Sequence, residues 1–176
     1  RRKYKEALDY YLQADAKLST TNDAYLQHKV TFVIAQLKYH LGYYEESRAI
    51  FTECTTYFMP RDTIPYLRAV HGLSMSLNML QEYDEAAVAN ITGLALAYLA
   101  EDRAVVPYLT QADGITAYGK KRYSQAVSQL RMALPAMKQA KDYASEGITW
   151  LYLGKSLLAL KQPDSATLCF EQIDRI

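Results

Sequence analysis

The chain has 176 residues with a formal net charge of +1, and half of its residues are apolar. That balance gives no electrostatic footing for nucleic acid or an anionic membrane surface, and no run of about eighteen apolar residues exists to span a bilayer. With only 5 Pro and 7 Gly, the chain has too few turn residues for an all-β fold, and an all-α fold is expected.

In chain order, residues 1–21 read as a single helix. Charged Lys5, Glu6 and Asp9 interrupt the apolar core that a signal peptide would need. Residues 22–61 hold two helical stretches, 24–41 and 43–54, separated by Leu41–Gly42–Tyr43. A Gly after a helix supplies the left-handed residue that often ends one. Pro60 and Pro65 bracket the next loop, and Asp62 or Thr63 is placed to cap the helix after it. Residues 62–101 repeat the pattern over 64–80 and 82–93, and residues 102–141 over 104–119 and 122–133. Gly119 is expected to act as Gly42 does. Pro135 falls about twelve residues into its helix, where a kink or an early end is expected. Residues 142–176 hold the stretches 144–160 and 162–173, with Pro163 at a first helical position, where its missing N–H costs nothing.

The second stretches align without gaps. Tyr4, Tyr44, Tyr83, Tyr123 and Pro163 share one position, at separations of 39 or 40 residues. Ala7, Ser47, Ala86, Ala126 and Ala166 share another, as do Tyr11, Phe51, Asn90, Leu130 and Phe170. A fixed period of this size marks a solenoid, here one of helical hairpins with about nine helices. In the stretch ending at Leu160, Trp150, Leu153, Leu157 and Leu160 share one helix face. Gly154 beside them costs about 1 kcal/mol against Ala in a helix, which implies a close backbone approach. Ala35, Ser74 and Gly114 match it and face the small residues of the second helices, allowing tight helix packing.

Trp150-x-x-Leu153-Gly154-x-x-Leu157, followed by Ala166-x-x-x-Phe170, resembles the tetratricopeptide repeat (TPR) pattern. The resemblance covers nearly the whole chain, and it implies a right-handed TPR-like superhelical solenoid. The other units depart from the pattern. Thr31, Val70 and Thr110 stand for the Trp, Asn90 for the aromatic, and Asp113 for a Leu. A buried, unpaired Asp113 carboxylate would be costly, so it is expected to lean to solvent or to pair. The period exceeds the family's by five or six residues, which suggests longer helices.

In that family the first helix of each hairpin lines a concave groove. Carried over, the groove rows are Lys29, Arg68, Tyr108 and Ile148; Phe32, His71, Gln111 and Leu151; Gln36, Met75, Ile115 and Lys155; and Tyr39, Asn78, Tyr118 and Leu158. Tyr gives contact area at low entropy cost, which suits a protein or peptide ligand. Of the 16 Tyr, five (Tyr4, Tyr11, Tyr44, Tyr83 and Tyr123) sit where the hairpin itself uses them. Gln36, Met75 and Ile115 stand where the carboxylate clamp of some TPR adaptors has Asn.

Nothing in the pattern points to catalysis, a cofactor or a metal. His28, His40 and His71 lack the i, i+4 ligand spacing, and there is no Gly-rich phosphate loop or nucleophile elbow. Arg1–Arg2–Lys3 and Lys120–Lys121–Arg122 read as solvated turns. Cys54 and Cys169 are 115 residues apart and read as unbridged thiols. The opening helix has no hairpin partner before it, so Tyr4, Leu8 and Tyr11 are expected to want a cover. The chain is expected to be a piece of a longer one, with homo-oligomer formation through its uncapped ends an alternative. The Tyr-rich helices, and the run from Tyr152 to Lys155 with that from Phe170 to Ile176, resemble TPR regions of Bacteroidetes-type transcriptional regulators. That resemblance implies a ligand-sensing region on the periplasmic side, with a membrane span, a coiled coil and a helix-turn-helix domain elsewhere in the chain. A general interaction scaffold and an intracellular signalling-peptide receptor are the alternatives. The compartment stays open.

Overall fold

The computed structural model describes residues 2–176; Arg1, part of the first basic cluster, lies outside the described residues. Among them the chain forms nine α-helices and no strand: α1 Arg2–Leu18, α2 Ala24–Leu41, α3 Tyr44–Phe58, α4 Thr63–Met79, α5 Tyr83–Leu99, α6 Val106–Gly119, α7 Tyr123–Ala140, α8 Tyr143–Ala159 and α9 Pro163–Ile173. The all-α reading and the number of helices are as expected. Tyr44, Tyr83, Tyr123 and Pro163 each open a helix.

The chain divides into two compact units, one ending at Glu82 and one running from Tyr83 to Ile176. In the first unit each helix packs on the next, and α2 also touches α4. In the second unit the same holds for α5 to α9, and α6 also touches α8. Within each unit, no two odd-numbered helices touch among the described residues. The even-numbered helices therefore form the tighter layer of each unit.

Two repeated devices define the helix ends. Asp23, Asp62 and Asp142 cap α2, α4 and α8 by accepting from the backbone N–H of Leu26, Ile64 and Ser145. Asp102 accepts from Ala104 N–H at 3.1 Å at the corresponding place. A side-chain oxygen satisfies a helix-start donor that would otherwise have no partner. Six helices end in the same motif, in which a left-handed residue is followed by an N–H that reaches back five residues. The reaching bonds are Tyr43 to Lys38, Glu82 to Leu77, Asp102 to Ala97, Arg122 to Ala117, Asp142 to Met137 and Gln162 to Leu157, at 2.8–3.1 Å. The left-handed residues are Gly42, Gln81, Glu101, Lys121, Lys141 and Lys161. Gly119 thus does not play the part expected of it. It lies inside α6, and Lys121 takes the left-handed conformation. A Cβ at Gly119 would collide with the Tyr83 ring, so close packing accounts for this glycine.

The expected close approaches are present within hairpins. Phe170 lies over Gly154, and Leu130 over Gly114, at 2.5 and 2.8 Å from where a Cβ would be. Ser47, Ala86, Ala126 and Ala166 are fully buried. Ser47 Oγ donates to the Ala35 carbonyl at 2.9 Å. In the first unit Leu8, Ile34, Leu37 and Leu41 form one cluster, so α2 covers Leu8. Tyr4 and Tyr11 stay 39% and 37% exposed, with Tyr4 stacked on His40.

Helix α7 does not end early at Pro135 but continues to Ala140. Pro135 is exposed, as is Arg131, whose carbonyl loses its helical donor, so water can satisfy that oxygen. Ala133, Leu134 and Met137 are buried along the same helix and hold it through the proline. Asp113 pairs, as expected: Gln129 Nε2 donates to its carboxylate. Burial still pushes the Asp113 carboxyl above its ordinary value, against the opposing effects of Gln129 and Arg122.

Candidate functional site

The even-numbered helices carry the four rows read from the sequence. In the first unit, Tyr25, Lys29, Phe32, Gln36 and Tyr39 follow one another along α2 at three- and four-residue spacing, so they share a face. Ile64, Arg68, His71, Met75 and Asn78 do the same on α4. Lys29, Gln36 and Arg68 are exposed, Phe32, Tyr39 and His71 are half-buried, and Met75 and Asn78 are buried. In the second unit, Lys155 and Leu158 of α8 are exposed, Tyr108, Tyr118, Ile148 and Leu151 are half-buried, and Gln111 and Ile115 are buried. Gln111 is only 1% exposed. Its Nε2 donates to the Ser145 carbonyl at 2.8 Å and to Thr149 Oγ1 at 2.7 Å, tying α6 to α8.

The aromatic members of the rows double as hairpin packing. Tyr39 meets Tyr44 and His40 edge-on, with ring centroids 5.5 and 5.6 Å apart. Tyr118 meets Tyr123 and Tyr152 at 5.7 and 5.4 Å. Phe32 lies edge-on to the buried Phe51. Half-buried, these rings hold the hairpins together and leave part of each ring accessible.

In the first unit, charge is sorted between the layers. Neither α2 nor α4 contains an Asp or Glu. Lys38 is turned to Glu46 on α3, and His28 stacks on Tyr57 with its Nε2 3.7 Å from Glu53. Lys29 Nζ lies 5.3 Å from the centre of the Tyr25 ring. The Tyr25 hydroxyl donates to Asp62 at 2.6 Å, and that bond, aided by burial, holds the phenol above its ordinary value. Among the described residues neither Lys29 nor Arg68 forms an ion pair.

A second concavity, not foreseen in the groove rows, lies in the second unit between α7, α8 and α9. It has a volume of about 470 Å³ and is lined by Leu134, Pro135, Trp150, Leu157 and Leu168, with Arg131 among its polar members. Trp150 faces this side, covered by Lys138 at 4.8 Å, and donates to Glu146 at 3.2 Å. Its place in the repeat pattern was the signal available in the sequence, but periodicity does not say which neighbour it meets.

Neither the cysteines nor the histidines assemble a reactive group. Burial, with the charge of Glu53, pushes the Cys54 thiol up to about 12, which leaves no thiolate to attack at neutral pH. Cys169 is also a buried free thiol. Among the described residues no group of three His, Cys, Asp or Glu is placed to hold a metal ion. No helix there is long and apolar enough to cross a membrane.

No family model matches the chain, and no curated protein matches it. Solved structures do. A Rap protein complexed with competence and sporulation factor is 14% identical with a TM-score of 0.84, over 99% of this chain and 49% of that one. The apo form of RapI is 18% identical with a TM-score of 0.74, over 98% of this chain and 63% of that one. A putative kinesin light chain from Podosopora anserina with nearly identical TPR-like repeats is 14% identical with a TM-score of 0.65, over 98% and 86% of the two chains. At these identities the likeness shows the fold, a TPR-like helical solenoid. The chain spans about half the length of the Rap protein and less than two thirds of RapI.

Proposed function

We propose that this is a non-catalytic protein- or peptide-binding domain in which the even-numbered helix layer of each unit is a ligand face. The carrying observation is the set of side chains that the even layer of each unit exposes. The even layer exposes Lys29, Gln36, Arg68, Lys155 and Leu158 at repeat-related positions, beside half-buried aromatics. Repeat proteins use such faces, where successive hairpins each add a few contacts to a ligand. The similar fold of the Rap protein that was solved with a bound factor supports the reading.

Selection of a random dodecapeptide phage library on the folded chain tests it. Enriched peptides are expected, with affinity falling about tenfold, or ~1.4 kcal/mol, in a Gln36→Ala/Lys155→Ala/Leu158→Ala variant. These side chains are exposed, so the variant should keep its unfolding midpoint. No enrichment, or affinity untouched by the variant, would contradict the reading.

The finer role, as the sensory part of a larger bacterial transcriptional regulator, is proposed on the sequence resemblance alone. The coding sequence beyond Ile176 decides it. A hydrophobic span followed by a basic helix-turn-helix segment is expected; a scaffold would instead continue with a polar capping helix and a stop.

A further inference from the structure

We propose that the α2–α4 face of the first unit binds an acidic, extended peptide segment, with carboxylates seated on Lys29 and Arg68. The proposal rests on the reading of the even layer as the ligand face, and it names the ligand's chemistry.

Three observations carry it. The 18 residues of α2 and the 17 of α4 contain no carboxylate, in a chain with 19 Asp and Glu. The acidic side chains of this unit lie instead on α1 and α3 and at helix starts. Elsewhere in this unit, Lys38 of α2 pairs with Glu46, and Arg48 of α3 pairs with Glu45 and Glu82. Facing outward on α2 and α4 are Lys29 and Arg68, at the same register of two touching helices and without an ion pair among the described residues.

The carboxylates that cap these two helices are already engaged. Asp23 caps α2, and Asp62 accepts from Ile64 N–H and the Tyr25 hydroxyl. That second bond fixes the ring beside which Lys29 lies, so the ammonium is partly pre-positioned. Packed helices have axes about 8–10 Å apart, and alternate residues of an extended chain are about 7 Å apart. Residues i and i+2 of one peptide strand can thus reach both cations. Exposed Tyr25 and Ile64 on one side, and half-buried Phe32 and His71 on the other, offer apolar contact to intervening side chains. A ligand with basic residues here would find no partner in 35 helical positions and would meet two like charges.

Fluorescence anisotropy tests this with three labelled dodecapeptides in which Leu alternates with Glu, Gln or Lys. The Glu peptide should bind at least about tenfold more tightly than the Gln peptide, and should lose that margin in Lys29→Glu/Arg68→Glu. A Lys3→Glu/Lys5→Glu variant removes the same charge from α1 and should keep the margin. Urea midpoints equal to wild type show that each variant folds. Equal loss in the α1 variant overturns the proposal, because net charge alone would then explain binding. Tighter binding of the Gln or Lys peptide, still sensitive to Gln36→Ala, overturns the acidic preference but leaves the ligand face standing. A single-stranded oligothymidylate of the same length bound as tightly as the Glu peptide overturns the assignment to a peptide. Absence of binding by all three peptides, together with an empty phage selection, overturns both readings.

Discussion

At Gly72 the buried Phe51 ring occupies the place where a Cβ would stand, and Phe51 is 1% exposed and cannot retreat. Gly72→Ala should therefore destabilise by about 1–3 kcal/mol, the cost of overpacking, as read by urea unfolding. At Lys141 the strain runs the other way. Its φ of 54° is unfavourable for a residue with a Cβ, so Lys141→Gly should gain about 1 kcal/mol. Asp113 gives a pH prediction with a definite sign. Its folded-state affinity for a proton is raised by burial, so its favourable contribution is present at low pH and is lost as pH rises through the raised value. Asp113→Asn keeps an acceptor for Gln129 and should be more stable than wild type at about pH 7, with the gain shrinking toward about pH 4. Thermal melts across that range check it. Of these residues only Asp113 stands out in the sequence. The five left-handed Gln, Glu and Lys residues are hidden there because the usual signal is Gly, which occurs only at Gly42. Asp23, Asp62, Asp102 and Asp142 recur at separations of 39 and 40 residues, but only Asp62 stands between the prolines that mark a helix start.

Helix α5 is turned inside out with respect to hydropathy. It buries Ala86, Asn90, Gly93 and Ala97, while Val88, Ile91, Tyr98 and Leu99 are 65–82% exposed. Asn90 is fully buried and donates to Thr116 Oγ1 at 3.0 Å. Ile91→Lys should accordingly change stability by less than about 0.5 kcal/mol. Asn90→Ala should cost about 1–3 kcal/mol by removing a buried hydrogen bond to Thr116 and leaving a cavity in its place. Hydropathy alone ranks the two in the opposite order, so their unfolding midpoints decide between the accounts. The repeat alignment already places Asn90 at an inward position. Pro135 misleads for a related reason: a proline's local cost is legible, whereas the buried residues that hold α7 together around it depend on which helices meet.

Across the chain, the period locates the helices and the hairpin order, because small and aromatic residues recur wherever helices must approach closely. The candidate face is legible only as a set of rows. Whether a row position is open or closed depends on the neighbouring helix, and burial of Met75, Asn78, Gln111 and Ile115 narrows the accessible set to fewer side chains. The absence of carboxylates from α2 and α4 is present in the sequence but has no meaning until the layers of the first unit are known. The central claim is that ligand meets the even layer. Hydrogen–deuterium exchange of the whole chain, with and without a peptide enriched by selection, tests it most directly. The account predicts slowed exchange on binding in α2 and α4, with α1 and α3 unchanged; protection confined to α7 and α9, around the cleft beside Trp150, would contradict it.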